Sequence, residues 1–213
     1  MIEMLERILD NLKWGETVLV EHSTYTPTSK LFHLTLNWAK ERGYLILIDD
    51  ILDTLNVYKQ HMKIAGLETK VLDESKVIKI RGIQKTGNIV GYISRSDIPV
   101  LNKRYQEIFE NYFSRERVIN CVLGYEKLLI TSGSKEEVLH NLINQVMPFI
   151  GFEKRIAFYY IPTNVLEKAF PEALPLIESV STTIIKLDKA GKNILFSIVK
   201  SIDNELDGIE IRI

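Results

Sequence analysis

A lysine stands at the end of a loop between a predicted strand and a predicted helix, the place where a lysine contacts phosphate in many nucleotide sites. The loop pattern for that chemistry is G-x-x-x-x-G-K-[ST], in which glycine lets backbone N–H groups approach the anion and the last hydroxyl binds Mg²⁺. Residues 17–21 form the apolar strand, and the two glycine positions hold Thr24 and Ser29. The lysine is Lys30, and Leu31 replaces the metal-binding hydroxyl. The place of the loop fits phosphate binding, whereas its residues do not.

Five residues around this loop form the candidate anion or nucleotide site. The hydroxyls of Thr26, Thr28 and Ser29 lie close to Lys30 in sequence, at the N-terminus of a helix whose dipole attracts anions. The alternative for Lys30 is an ordinary exposed lysine in a first turn, which we favour. His22 follows the strand and could donate to a ligand, although we favour a hydrogen-bonded structural histidine.

Three aspartates follow the second predicted strand and could supply hard oxygen ligands to a metal. Asp49 and Asp50 are the weak metal candidates, with Asp53 close behind. We favour a structural interpretation, in which Asp49 or Asp50 caps the helix that begins at residue 51 and Asp53 stabilises its first turn.

The elements that must position these residues alternate between buried strands and helices. Continuous apolar runs typical of strands covered on both faces are 17–21, 44–48, 118–123 and 156–161. Helical spacing predicts helices at 2–13, 27–42 (with Thr26 as N-cap), 51–65, 99–114, 135–147 (with Ser134 as cap) and, interrupted by prolines, 163–180. Alternating residues predict a hairpin of 77–81 with 89–93, and an antiparallel tail of 182–187, 193–199 and 209–213. This order predicts one α/β domain over residues 1–213.

Composition limits the classes of protein that the chain can represent. The 213 residues are 46% hydrophobic, and the net charge is -1, so neither wholesale disorder nor binding of nucleic acid by bulk charge is expected. The single cysteine, Cys121, excludes an internal disulfide and lies in an apolar run, which predicts a buried, inert thiol. No membrane span or secretory signal is indicated, so a cytoplasmic location is expected. The richness in Ile, Lys and Glu is typical of thermophiles.

The order of elements resembles that of RecA and KaiC-like ATPases. The run G-E-T-V-L-V-E at 15–21 resembles the entry to their phosphate loop, and E-R-G-Y-L-I-L-I-D-D at 41–50 is similar to their second strand. Residues 179–187 and 193–201 resemble the closing hairpin of the family. The chain is also similar to a small archaeal family of degenerate members of this group. The resemblance implies a mainly parallel sheet with helices on both faces and an antiparallel C-terminal edge.

The departures from the family pattern concern the groups that hold the metal and the phosphates. Besides the two missing glycines, Leu31 offers no oxygen to Mg²⁺. The family's metal-binding aspartate should close the strand at 118–123, where Glu126 is the nearest acid. Only Asp49 or Asp50 could replace its catalytic glutamate. Because phosphoryl transfer depends on such positioning and charge neutralisation, we expect no ATP hydrolysis and no cofactor, with bound ATP as the alternative.

Two further surfaces have a functional and a structural interpretation. The segment 76–95 contains Tyr92 among basic residues and could contact a phosphate backbone, although we favour a solvated sheet face. The basic residues are Lys76, Lys79, Arg81, Lys85 and Arg95, and the acids flanking the segment are Asp73, Glu74 and Asp97. The aromatic residues Tyr105, Phe109, Tyr112 and Phe113 share one helix side, which predicts core packing rather than a partner surface.

The sequence therefore predicts a non-catalytic binding or assembly protein on a degenerate ATPase core. The resemblance implies a protein or peptide partner or self-association into a homo-oligomer. A nucleotide-binding protein that uses Lys30 and Asp49 or Asp50 is the alternative, and a nucleic-acid accessory factor that uses segment 76–95 is a second one.

Overall fold

The four continuous apolar runs form the centre of a sheet, because only strands covered on both faces bury every side chain. The computed structural model describes residues 2–94, 98–113, 115–132 and 134–213. The strands are β1 (Thr17–His22), β2 (Leu45–Ile51), β3 (Lys76–Ile80), β4 (Asn88–Ile93), β5 (Val118–Leu123), β6 (Arg155–Pro162), β7 (Thr183–Ala190), β8 (Asn193–Lys200) and β9 (Glu210–Arg212). The helices are α1 (Ile2–Asn11), α2 (Ser29–Glu41), α3 (Thr54–Ile64), α4 (Lys70–Glu74), α5 (Ile98–Phe113), α6 (Tyr125–Ile130), α7 (Lys135–Gln145), α8 (Thr163–Ala169) and α9 (Ala173–Val180), with a 3-10 turn at Met147–Phe149.

Within the described residues the strands form one sheet in the order β4-β3-β2-β5-β6-β1-β7-β8-β9. Every neighbouring pair from β4 to β7 is parallel. β8 pairs antiparallel with β7, and β9 pairs antiparallel with β8. The predicted parallel sheet with an antiparallel C-terminal edge is confirmed.

The side chains of each central strand alternate between two apolar cores, one on each face of the sheet. On the first face, Val18 and Val20 of β1 share a core with Phe32 of α2 and Leu55 of α3. On the second face, Leu19 of the same strand belongs to the core that α5 to α9 cover. Helices therefore pack on both faces, as the sequence predicts. Cys121 is buried in the first core.

The predicted hairpin is wrong, because β3 and β4 lie side by side in parallel. The connection after β3 is held by Asp53, whose carboxylate accepts the N–H groups of Ile83 and Gln84 at 2.9–3.1 Å. These bonds hold the chain at the end of β3, and the following residues return so that β4 begins beside the first residue of β3. A Cβ atom on Gly82 would lie 2.6 Å from Asp53 Oδ1, so the turn requires glycine.

Two predicted helix starts are also wrong, and both errors bear on the site. α2 begins at Ser29 rather than at Pro27, so Thr26 is not its N-cap. α3 begins at Thr54 rather than at 51, because β2 continues through Ile51. The predicted cap of α7 is confirmed, since Ser134 Oγ accepts the N–H of the residue three positions on.

The aromatic side of α5 packs in the second core as far as the structure describes it. Phe109 is 3% exposed, and its ring centroid lies 5.1 Å from that of Phe149. Tyr105 packs edge-on against the same Phe149 ring. Core packing is thus confirmed for these two residues, while the side chains of Tyr112 and Phe113 lie outside the described part of the chain. Among the described helices, none combines the length and the apolar character needed to cross a membrane.

Candidate ligand-binding cleft

A cleft lies at the carboxyl ends of β1 and β6, because the chain leaves these neighbouring strands toward opposite faces of the sheet. β1 leads into α2, whose Phe32 packs in the first core, and β6 leads into α8, whose Leu166 packs in the second. Open α/β sheets bind their ligands in the crevice that such a divergence creates. The cleft has a volume of about 430 Å³, a size typical of ligand pockets. Residues 22–28, α3, the start of α6 and the end of β6 line it.

The loop from β1 to α2 is tied to protein partners through its backbone. The N–H of Thr24 donates to Asn164 Oδ1 at 3.0 Å, and the N–H of Tyr25 donates to Ser23 Oγ at 3.3 Å. The N–H of Thr26 donates to Ser23 O at 3.1 Å. Asn164 returns a bond to Thr24 Oγ1 at 3.0 Å. Three consecutive N–H groups that a phosphate loop would direct at its ligand are therefore occupied by the protein itself.

The threonine hydroxyls that the sequence analysis named as anion ligands donate to partners inside the protein. Thr26 Oγ1 donates to a carbonyl oxygen of β7 at 3.3 Å, and Thr28 Oγ1 donates to the Tyr58 hydroxyl of α3 at 3.0 Å. Ser29 is buried at the first position of α2. Thr26 and Thr28 thus border the cleft, and their hydroxyl protons are used inside the protein.

Lys30 lies on a different surface from the other candidates. Its side chain is exposed and borders a separate groove of about 390 Å³, together with Lys189 and Lys192 of the C-terminal hairpin region. Leu31 is buried in the first core at 6% exposure, so the position of the metal-binding hydroxyl is filled with apolar packing. The structure consequently separates Lys30 from His22, Thr26 and Thr28.

His22, the last residue of β1, presents a hydrogen-bond acceptor at the cleft. Its Nδ1 lies 3.0 Å from Ser23 O, and because a carbonyl oxygen only accepts, Nδ1 carries the proton. Burial lowers the pKa of the imidazole, which favours the neutral form. The bare Nε2 atom is buried and has no partner among the residues that the structure describes.

Glu126 presents a second acceptor, from the first turn of α6. The residue is 6% exposed, and its Oε2 atom is buried with no hydrogen-bond partner in the described chain. Burial raises the pKa of this carboxyl to about 7. The turn before it needs glycine, since a Cβ atom on Gly124 (φ +83°) would lie 2.3 Å from Thr54 Oγ1. The adjacent Lys127 ammonium donates to the same Thr54 oxygen at 2.8 Å.

The two aspartates considered as metal ligands lie on opposite faces of β2, as consecutive strand residues must. Asp49 faces the second core, where Tyr105 Oη donates to its Oδ2 at 2.8 Å and Asn120 Nδ2 donates at 3.1 Å. Burial raises the pKa of Asp49 to about 6. Asp50 faces the first core, so the two carboxylates cannot hold one ion together. In the described ranges, no group of three or more histidine, cysteine or acidic side chains is arranged to hold a metal.

Asp50 is instead the centre of a buried ion cluster. Lys79 Nζ donates to Asp50 Oδ2 at 2.6 Å and also pairs with Asp53. The N–H of Leu55 donates to Asp50 Oδ1 at 2.9 Å, so Asp50 bonds the first turn of α3, although that helix begins at Thr54 and not at the predicted residue 51. The N-cap position belongs to Asp53, whose side chain makes no cap hydrogen bond and binds Lys79, Ile83 and Gln84 instead. Both Lys79 and Asp50 are at most 1% exposed.

This cluster corrects the interpretation of segment 76–95 as a solvated basic face at one residue, Lys79, whereas Lys85 is exposed as predicted. Lys79 is not solvated, and its charge is neutralised inside the protein. Tyr92 is 54% exposed and donates to Gly82 O at 3.0 Å. Arg95 and Asp97 lie outside the described residues.

A second cavity lies between α5 and the sheet, and it is much smaller than the cleft. Its volume of about 30 Å³ leaves room for roughly two water molecules. Asp49 Oδ1 and Tyr125 Oη line it without partners in the described residues, which is the usual setting of buried water. We assign no ligand to it.

A family model matches residues 7–212, and its description is "Pyrococcus protein of unknown function, DUF257". The chain belongs to this family. A comparison with curated proteins gives no match. Membership in the DUF257 family agrees with the archaeal affinity that the sequence suggests.

Solved structures share the fold along nearly the whole chain. PH0250 from Pyrococcus horikoshii is 33% identical, with 97% of this chain and 96% of that chain covered and a TM-score of 0.84. PH0321 from the same organism, crystallised in complex with an unknown peptide, is 12% identical, with 99% and 97% covered and a TM-score of 0.66. The KaiC-like protein PH0186, also from P. horikoshii, is 10% identical, with 93% and 85% covered and a TM-score of 0.63. The last two likenesses concern the fold alone, and they confirm the KaiC-like architecture.

Sequence reasoning found part of the cleft and missed its most unusual group. It named His22, Thr26 and Thr28, which border the cleft. It named Glu126 only as the acid nearest the end of β5 and did not predict α6, a helix of 6 residues. The available signal was the Gly124-Tyr125-Glu126 run directly after a fully apolar strand, where a turn brings polar groups to the carboxyl edge of the sheet.

Proposed function

We propose that this chain is a non-catalytic binding protein that holds a peptide or protein segment in the cleft. In this proposal, the RecA/KaiC-like core has lost the chemistry of ATP hydrolysis. The crevice at the strand ends remains as the binding site for a polypeptide.

The internal pairing of the loop after β1 is the observation that carries the proposal. A phosphate loop works because its N–H groups are free to bind the anion, and here those of Thr24, Tyr25 and Thr26 already have protein acceptors. The apolar burial of Leu31 and the position of Lys30 on a separate groove support the same conclusion. Without a metal ligand and a lysine at the phosphates, phosphoryl transfer lacks its charge neutralisation.

The shape and surface of the cleft support a polypeptide ligand. Its wall contains the exposed ring of Tyr25, which is 75% accessible, and aromatic rings are enriched where proteins bind one another. PH0321, which shares the fold, was crystallised with an unknown peptide. Peptide binding also needs no metal ion, and the described cleft residues include no group arranged to hold one.

Binding of short random peptides, followed by fluorescence polarisation, tests the proposal. Val57 on α3 borders the cleft and is 47% exposed, so Val57→Trp should fill the cleft without disturbing a core and weaken binding at least about tenfold. Ile64, on the same helix and 85% exposed, provides the matched control Ile64→Trp, which should leave binding unchanged. Equal effects of the two substitutions, or no peptide binding at all, would refute the cleft as a peptide site.

Nucleotide binding without hydrolysis is the second candidate, because the cleft occupies the place where open α/β sheets hold nucleotides. A thermal-shift measurement with Mg-ATP separates the two. A ligand at a hundred times its Kd stabilises the folded state by about 2.7 kcal/mol, so bound ATP would raise the melting temperature visibly. We expect no shift. Self-association is also proposed, and light scattering at several protein concentrations tests it.

A further inference from the structure

Two unpartnered acceptors on the wall of the cleft specify which chemical group its ligand must present. Glu126 Oε2 and His22 Nε2 are both buried, and both lack a donor among the described residues. Buried acceptors without a donor are rare and costly, so each requires an explanation. A ligand group with N–H donors would satisfy them.

The protonation of His22 argues against an anionic ligand at this wall. Nδ1 must donate to Ser23 O, so Nε2 of the neutral ring is an acceptor and not a donor. A phosphate or carboxylate oxygen at this wall would face the lone pair of His22 and the carboxyl of Glu126. The contact with His22 would lack a proton, and the contact with Glu126 would be repulsive wherever that carboxyl is ionised.

The cation closest to Glu126 in sequence does not satisfy it. Lys127 donates to Thr54 Oγ1 at 2.8 Å and to Leu52 O at 3.4 Å, and no ion pair joins it to Glu126 in the described chain. The wall also carries the ring of Tyr25, which is 75% exposed. Aromatic faces attract cations.

We propose that the cleft selects a basic group of its peptide ligand, the ammonium or guanidinium of a lysine or arginine side chain, and that Glu126 is the anchor for that charge. This inference rests on the proposed function and names the ligand chemistry of the same site. Glu126, ionised beside the bound cation, supplies the negative charge, His22 Nε2 accepts a second N–H, and the exposed ring of Tyr25 packs against the stem of the side chain.

Matched peptide pools test the inference. The pools are random at all positions except a central one, which is lysine, arginine, norleucine or glutamate. The lysine and arginine pools should bind at least about tenfold more tightly than the norleucine pool, and the glutamate pool most weakly. Glu126→Gln should remove that preference while the norleucine pool binds as before. Glu107, exposed on α5, provides the charge-matched control Glu107→Gln, which should keep the preference.

The outcomes separate this inference from the proposed function. If all pools bind equally, or if Glu126→Gln keeps the preference for basic residues, the peptide site stands and the anchor role of Glu126 is wrong. If no pool binds, the proposed function fails and the inference fails with it. Circular dichroism of both variants confirms that the fold is retained.

Discussion

Asp50 and Glu126 are both buried acids near the carboxyl edge of the sheet, but they differ in whether their oxygens have hydrogen-bond donors. Asp50, near the end of β2, receives the Lys79 ammonium and the Leu55 N–H. Glu126, just beyond neighbouring β5, has an oxygen with no donor in the described residues. The first carboxylate is a closed structural site that fixes where β3 and α3 lie. The second carboxylate has an unpaired oxygen, and an unpaired buried acceptor beside a cleft is the feature expected of a binding site.

Removing Lys79 should produce the largest loss of stability, because it leaves Asp50 buried without its cation. We expect Lys79→Met to lower the free energy of unfolding by about 3–5 kcal/mol. Urea denaturation measures the change. Lys76→Met, in the same strand but only partly buried, should change stability by about 0.5 kcal/mol or less. A small loss in Lys79→Met would mean that the two carboxylates do not differ as described.

The pH dependence of stability should distinguish Glu126 from a satisfied carboxylate. Its pKa is raised by burial from 4.5 to about 7, so folding favours the protonated form and this contribution to stability is lost as the pH rises from about 4.5 to 7. The difference corresponds to about 3 kcal/mol. Relative to the wild type, Glu126→Gln should therefore gain stability by about that amount between pH 4.5 and pH 8.

Comparison of the two proteins at each pH is essential for this measurement. Burial also raises the pKa of Glu21 to about 7 and that of Asp49 to about 6, so the wild-type profile alone combines several groups. The difference between wild type and Glu126→Gln isolates the one carboxyl. A difference independent of pH would show that Glu126 is not buried as an unpaired acid.

The turn that carries Glu126 should be sensitive to added bulk. Gly124→Ala combines a positive φ with a Cβ atom 2.3 Å from Thr54 Oγ1, and we expect a loss of about 2–3 kcal/mol in the free energy of unfolding. Gly151 has a similar φ of +76° with no atom within 4 Å of an added Cβ, so Gly151→Ala should cost only about 1 kcal/mol. Equal costs would indicate that the turn relaxes away from α3.

The smallest effect is expected where the cleft loop is tied to α8. Asn164→Ala removes the acceptor of the Thr24 N–H, and the free energy of unfolding should fall by about 1 kcal/mol. Hydrogen exchange of the Thr24 amide should accelerate, because its bond is lost locally. Unchanged exchange would mean that this bond does not hold the loop, and the Thr24 N–H would then be available to an anion.

The sequence was most informative where structure depends on neighbours along the chain. Strand β5 could be predicted because six consecutive buried residues require cover on both faces of the sheet. Ser134 could be predicted as a helix cap because its hydrogen-bond partner is three residues away. The start of α2 was misplaced because Thr26 bonds to β7, about 160 residues on, instead of to its own helix. The parallel direction of β4 was missed in the same way, because the loop before it is held by Asp53, which binds the N–H of Ile83 from some thirty residues away.

The residues by themselves determined the alternation of the central strands with helices and showed that the loop after β1 has neither the glycines nor the hydroxyl of the phosphate-loop pattern, since these follow from side-chain type and local spacing. Only the tertiary structure decided that Lys30 turns away from the cleft, that Lys79 neutralises Asp50, and that Glu126 is left without a donor. The physical reason is that burial and pairing of a charge depend on which distant elements come together, and sequence periodicity carries no information on that distance.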